Sequence, residues 1–574
     1  MIRSSYTALS IFLALMMLFS PFGRIQPGSP SASSATFAVT STADLPDTDV
    51  NDNVCHASNS LCTLRAAIQQ ANFTTGADTI TLPAGVFLLT RVGTNEDGAV
   101  NGDLDIIESL TITGAGSASS IVDANGSVTG ERAFQILSSA ANVTISGLTI
   151  RNGKTAGVFG EGGGLYWDGN GSHLTLTNVV IENSSSYYGG GVYLNYSSLA
   201  DVVDLGHVTI HANSSTAAGA GLAAALGDLG TLSLHDSQVD SNTAYEGGGV
   251  YFQGISGTVD GLTASITNSA IFGNSASLSA GFENRGGMAA FPVTIQNSRI
   301  YQNHASIYGG GIGNFGALTI NNTTIDSNTA TSSATPTTTR GGGIYDYEGG
   351  ILTINQSTLS RNTSASGGGL FSEYFSHNNS LVTLTNSTVS SNSASQDGAG
   401  IYADGGQIQL FNATLAANQV LVPAGDSHLG LGGALYVVSR VGFTFQNTLI
   451  ADNSHRYGTA AASSDDCFGT INSLGYNLVE QTFDCAIIGS MLGVITGQDP
   501  RLEPLLNSIG VTQVQAPLTG SPAIDAGQTP ACTDVNSAAI TVDQRGVERP
   551  LGGRCDIGAV EYLPVEQFVP VIKK

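Results

Sequence analysis

From about Val143 to Asn453 the chain repeats one polarity pattern. A glycine cluster carries an apolar and aromatic pair, a strand alternates apolar and polar, a polar turn follows, and an aliphatic residue stands three before an asparagine. One copy reads Gly341-Gly342-Gly343-Ile344-Tyr345, then Leu352-Thr353-Ile354-Asn355, then Leu359-Ser360-Arg361-Asn362. Period-two alternation without a helical stretch predicts three short strands per repeat. The closing asparagine recurs at Asn242, Asn274, Asn303, Asn328, Asn362, Asn392, Asn418 and Asn453, every 25 to 35 residues. Such a period means a solenoid or an array of propeller blades, and blades need a roughly fixed length of about 40 residues or more. These repeats are shorter and vary in one place, after the closing asparagine. The pattern therefore predicts an all-β chain, a right-handed parallel β-helix over 143–460.

Asparagine suits such turns because its amide tolerates the left-handed backbone region and can hydrogen-bond its equivalent one coil away. A second series, Asn268, Asn297, Asn322, Asn386, Asn412 and Asn447, lies six residues before the closing one. A residue repeated in every coil reads as scaffold and not as catalyst. The glycine clusters precede no Gly-Lys-Ser/Thr and open no helix, which excludes a phosphate loop.

Composition agrees with stacked strands: 11% charged residues and 73 glycines among 574. Residues 1–35 read as a secretory signal, with Arg3, an apolar core from Ala8 to Phe19, and a small-x-small site at Ser33-Ser34-Ala35. Its core is too short to span a bilayer, and no later segment is long and apolar enough, so no transmembrane segment is expected in the mature chain. Loss of Arg3 and Arg24 leaves 17 basic against 44 acidic residues, a formal charge of −27. Lysine occurs only at Lys154, Lys573 and Lys574. This excludes nucleic acid as a partner and repels acidic polysaccharides at long range.

Six cysteines in an exported chain favour disulfides over a metal site, all the more since no CxxC occurs. They form three local groups, Cys55 with Cys62, Cys467 with Cys485 and Cys532 with Cys555. Local pairing is the expectation among the many connectivities that six cysteines allow.

Two kinds of candidate site emerge. In seven repeats an aromatic directly follows the aliphatic residue after a glycine cluster: Tyr166, Tyr193, Tyr251, Tyr345, Phe371, Tyr402 and Tyr436. Neighbours on a strand point to opposite faces, so these rings form an external stripe, read either as a stabilising ladder or as a glycan platform. Asp44, Asp47, Asp49 and Asp52 form an oxygen-rich run of the ligand type calcium takes, or a solvated loop. Calcium is the one cofactor considered, and Asp103 with Asp105 carries the same two readings. Catalysis would need acids and a base gathered on one sheet. Arg285, Arg299, Arg340 and Arg361 are separated in sequence with few acids beside them. Asp465 and Asp466, being adjacent, point to opposite faces. No catalytic residue is assigned.

Three segments carry family likenesses. The glycine cluster with Val389-Ser390-Ser391-Asn392 resembles repeats of bacterial polymorphic outer membrane proteins and the pectate-lyase-like β-helix superfamily. Cys62-Thr63-Leu64-Arg65-Ala66-Ala67-Ile68 followed by Ala77-Asp78-Thr79-Ile80-Thr81-Leu82-Pro83-Ala84-Gly85 resembles the CSLREA domain of bacterial surface β-helix proteins. Ala66 stands where that family has Glu, a change expected to remove a surface charge, and Leu64, Ala67, Ile68 and Ala71 form the buried face of a short capping helix. Ser521-Pro522-Ala523-Ile524-Asp525-Ala526-Gly527, Asp543-Gln544-Arg545-Gly546 and Cys555-Asp556-Ile557-Gly558-Ala559-Val560-Glu561 are similar to the choice-of-anchor Q domain. The implied division is a cap with first coils over 36–142, the repeats, a disulfide-bearing region over 461–562, and a tail over 563–574. The implied role is an extracellular or cell-surface adhesin-like protein contacting glycans or proteins without catalysis. The alternative is a polysaccharide lyase or glycoside hydrolase.

Overall fold

The computed structural model describes residues 34–564, apart from 95, 156, 158–159, 198, 228, 255–260, 287–290, 348, 374–379 and 508–511. The expected signal segment, to residue 33, and the tail from 565 lie outside the described residues. What is described is a parallel β-helix whose helical segments are Leu64–Phe73 and Gly126–Thr129. No helix among the described residues is long and apolar enough to cross a membrane.

Each coil gives two strands to a 28-stranded sheet and one to a 15-stranded sheet, and later coils add one to an 8-stranded sheet. One coil comprises Ile344–Asp346, Ile351–Asn355, Thr358–Ser360 and Thr363–Ser366. Its residues stand in register with the next coil, Ile344 opposite Leu370, Ile354 opposite Leu384 and Leu359 opposite Val389. Every aliphatic residue of the pattern thus meets its equivalent inside, and these six are buried. In-register stacking of like on like is what makes one short pattern sufficient for a long core.

The asparagines split by role. The closing series, begun one coil earlier by Asn213, is buried and runs as one chain of amides. Each Nδ2 donates to the Oδ1 of the next coil, from Asn213 through Asn242, Asn274, Asn303, Asn328, Asn362, Asn392 and Asn418 to Asn453, at 2.9–3.1 Å. Asn453 donates to Asp466 Oδ1 at 2.8 Å, and the chain ends there. These asparagines do not take the left-handed conformation. The residue before each does, as at Ser241, Gln302, Ser327, Arg361 and Ser391. The second series, Asn268 through Asn447, does have φ between 43° and 52°. It needs the conformational tolerance, whereas the closing series needs only the amide.

One inward row breaks the apolar rule. Trp167, Leu194, Ala224 and Phe252 are followed in register by Asn284, Asn314, Asp346 and Ser372. Asn284 donates to Asn314 at 3.0 Å and Asn314 to Asp346 at 2.8 Å. Burial pushes the Asp346 carboxyl up to about 7. Nothing in the sequence pattern marks this polar run.

The helix Leu64–Phe73 closes the N-terminal end, capped by Thr63 Oγ1 accepting from Ala66 N at 3.1 Å. Leu64, Ala67, Ile68 and Ala71 are buried as expected, but so is Ala66, at 0% exposure. Alanine there removes no surface charge. The helix is wrapped by the loops it ties down: buried Arg65 pairs with Asp44 at 2.6 Å and donates to the carbonyls of Ala99, Gly102 and Asp103.

Three disulfides join Cys55 to Cys62, Cys467 to Cys485 and Cys532 to Cys555. Strands continue to Ile495–Thr496, after which the chain folds back along the coils. Gln544 bonds Thr388, Val542 O accepts from Asn386, Thr533 O accepts from Asn412, and Asp556 O accepts from Asn447. Two ion pairs hold this return: buried Arg549 and Glu561 pair at 2.9 Å, and Arg545 pairs with Asp543 at 2.7 Å.

Candidate functional site

The aromatic stripe lies on the outer face of the first strand of each coil, in register but interrupted. The row reads Gln135, Tyr166, Tyr193, Ala223, Tyr251, Glu283, Gly313, Tyr345, Phe371, Tyr402, Tyr436, Phe468. Phe371, Tyr402, Tyr436 and Phe468 stack at 4.7–4.8 Å between centroids, the strand spacing itself. Tyr308, from the flanking strand, stacks on Tyr345 at 4.2 Å. Stacking along the coils turns ring faces toward each other and leaves edges and hydroxyls outward. Tyr251, Tyr345 and Phe371 are only 3–4% exposed, so the stripe is no open platform at these positions.

The row begins one coil earlier with an acid, Asp105, in register with Gln135. There the outer face opens into a cleft of about 600 Å³ lined by Glu96, Asp97, Asp103, Glu131, Arg132 and Gln135 among others. Arg132 organises it: Nε lies 3.7 Å from Asp103 Oδ2, Nη1 donates to Gln135 Oε1 at 2.7 Å, and the guanidinium sits 5.0 Å over the Tyr166 ring. Gly102, at φ 64°, brings the two sides together, since a Cβ there would meet the Gly93 carbonyl oxygen at 2.3 Å and Glu131 Cγ at 3.3 Å.

Burial dominates the electrostatics. It pushes Asp103 up to about 6 against the pull of Arg132. It pushes Glu131 up to about 7 and Asp105 up to about 8, in both cases helped by the charge on Asp103. The cleft therefore holds proton donors and acceptors together near neutral pH, the condition for general acid–base work. Asp103 and Asp105 are neither a solvated loop nor free surface charge.

This arrangement carries a pH dependence. Each carboxyl has a higher pKa folded than unfolded, so its contribution to stability is complete below about pH 4 and is lost as pH rises through about 6, 7 and 8. Hydrogen exchange, corrected for intrinsic rates, is expected to show coils 99–136 less protected at pH 9 than at pH 5. Asp105→Asn is expected to remove much of that difference, and equal protection at both pH values would contradict the assignment.

A second cluster lies on the same face. Arg285 sits 3.2 Å from Glu246 and 3.1 Å from Glu283. Glu283, in the aromatic row, is fully buried and pushed up to about 8. Acids and an arginine thus meet at two places beside this face, around Arg132 and around Arg285. Arg299 and Arg361 likewise share Asp326, and Arg340 pairs with Glu373. Except for Glu283, two residues from Arg285, the partners lie about one coil apart in sequence, beyond the reach of local pattern.

The acidic run near the cap is spent on its own turns. Asp44 holds Arg65, Asp47 accepts from Asp49 N and His56 N, Asp49 from Asn51 N, and Asp52 from Val54 N. Asp465 faces His455 at 3.2 Å, while Asp466 turns inward to end the amide chain.

No protein-family model matches the chain, and no curated protein matches it in sequence. Among solved structures, it is similar to the catalytic domain of a GH87 α-1,3-glucanase in complex with tetrasaccharides. The identity is 17% and the TM-score 0.38, over 67% of this chain and 65% of that domain, which is just under two thirds of its length. It is also similar to pectate lyase Pel9A, at 13% identity and TM-score 0.31, over 93% of this chain and 98% of that one.

Proposed function

We propose that the protein is an exported β-helix that binds a neutral glycan chain in the cleft of Asp103, Glu131 and Arg132 and along the half-buried Tyr166 and Tyr193 beside it. The observation that carries this reading is the cleft itself, open, polar and continuous with a row of tyrosine edges and amides. Carboxyls and a guanidinium bond sugar hydroxyls in pairs. The formal charge of −27 in the mature chain disfavours polyanionic chains. Disulfides accord with an oxidising, extracellular setting. In a glycan array, the mature chain is expected to retain neutral oligosaccharides. Arg132→Ala and Glu131→Gln are expected to weaken retention about tenfold or more, and Arg299→Ala, outside the cleft, to leave it unchanged. Equal retention by all four proteins would sink the cleft as the seat.

Glycoside hydrolysis is the second reading, favoured by the two acids that line one cleft, Glu131 and Asp103, which burial raises to about 7 and about 6. A carboxyl still protonated near neutral pH can serve as the acid, with its more acidic neighbour as base or nucleophile. Release of reducing ends from a neutral glucan, abolished by Glu131→Gln, would establish it.

A further inference from the structure

Outside the cleft, one surface cluster breaks the repeat in a chemically specific way. The left-handed turn position held by asparagine in most coils, as at Asn178, Asn268 and Asn297, is held in two successive coils by His207 and Asp236. His235 directly precedes Asp236 and ends the strand Gly230–His235. One donor atom from each of His207, His235 and Asp236 lies within 4.8 Å of the others. Ring centroids of the two histidines are 6.1 Å apart, nearly perpendicular.

The His235 ring is held from both sides. Its Nδ1 lies 2.9 Å from Asp236 Oδ2 and its Nε2 lies 3.1 Å from Asp204 Oδ1 in the preceding coil. Space for this pose comes from Gly206, the residue in register with His235, where a Cβ would fall 2.6 Å from the ring's Cε1 and 2.7 Å from Nε2. A side chain there would displace the imidazole. Asparagine would satisfy both turns more cheaply than histidine and aspartate do, so the turns alone do not account for the substitutions.

We propose that His207, His235 and Asp236 bind a divalent transition ion of the zinc type, bridging two successive coils. Two imidazoles and a carboxylate are a donor set that suits zinc, and not calcium, which takes oxygen ligands. With Nδ1 of His235 on the metal, its Nε2–H donates to Asp204, the carboxylate–histidine–metal arrangement that fixes ring orientation. Asp204 is then a positioning residue. Three protein ligands leave the fourth tetrahedral position to water.

The test is calorimetric titration of zinc chloride alone into the tag-free mature chain after treatment with a chelator. One saturable ion per chain is expected, and cobalt in its place should give the visible spectrum of a tetrahedral site. His207→Ala, His235→Ala and Asp236→Asn, all at the surface and checked for fold by circular dichroism, should each weaken binding about tenfold or more. Asp204→Asn should weaken it less and shift the cobalt spectrum. His428→Ala, at a remote histidine paired with Asp397, should change nothing. Absence of saturable uptake, uptake untouched by His207→Ala, or uptake lost in His428→Ala would each overturn the proposal.

Discussion

Replacing Arg549 by methionine is expected to free the returning segment 498–562 from the side of the coils while leaving the β-helix formed. The Arg549 guanidinium is buried, pairs with Glu561 at 2.9 Å, and donates to Asn386 Oδ1 at 2.8 Å and to the Asp556 and Gly558 carbonyls. Removing one partner of a buried pair strands the other charge and costs about 3–5 kcal/mol, equivalent to a factor of roughly a hundred to a few thousand in the opening equilibrium. Coils held mainly by their neighbours can open locally, so the loss should fall on the returning segment and the coils it touches. Limited proteolysis should cut within 498–530 much faster in the variant, with coils 143–450 as resistant as before. The double variant Arg549→Met with Glu561→Leu should recover much of the protection, since a well-packed apolar pair avoids the stranded carboxylate. Unchanged cleavage in the single variant would show that the pair does not hold the segment.

Asn328→Ala is expected to cost more than an ordinary polar-to-alanine change. Asn328 Nδ2 donates to Ile300 O and to Asn362 Oδ1, and its Oδ1 accepts from both the Asn303 backbone N and Asn303 Nδ2. Alanine removes all four bonds and leaves two buried donors of Asn303 without an acceptor. Each unsatisfied buried group costs about 1–3 kcal/mol, so a total of roughly 2–6 kcal/mol is expected at that coil. Hydrogen exchange should show the loss centred on coils 300–362 and fading within a few coils on either side. Asn328→Asp should be milder at low pH, where the protonated carboxyl can still donate to Asn362. A loss no larger than that from an exposed serine-to-alanine change would show that the amide chain is ornamental.

Both predictions draw on features of unequal legibility in the sequence. The amide chain was legible because like stacks on like: one residue type at one place in every repeat can only meet itself. The local disulfide pairs matched the short-range spacing of the cysteines, whereas the capping helix was read from a likeness and proved buried from Leu64 to Ala71 and not on one face. The cleft was not legible, since Asp103 and Glu131 lie in different coils, joined through Gly102 and Arg132, and only the lateral register of Asp105, Gln135 and Tyr166 brings those rows together. The pairing of Arg285 with Glu246 was hidden for the same reason, 39 residues separating the two. The aromatic row was visible as a repeat, but its stacking was not, because alternation tells which face a ring occupies and not which way its plane turns. The inward run from Asn284 to Ser372 defied the apolar rule outright, Asn284 donating to Asn314 and Asn314 to Asp346 along the core, while Asn284 Oδ1 and Asp346 Oδ2 stay buried without a partner.

The one-way amide chain also makes length and identity separable in this molecule. Every asparagine between Asn242 and Asn418 receives from the coil before and gives to the coil after, so at this position each internal coil offers the same acceptor and the same donor. Ahead of Gln356, where the returning segment first bonds the coils, duplication or deletion of a whole coil restores the same amide junction. The termini have no such freedom. The helix over the first coils is bound by Arg65, and the last amide is answered by a carboxylate, Asp466, that offers no donor onward. Inheritance can therefore draw the middle of this protein out like a telescope while holding both ends fixed.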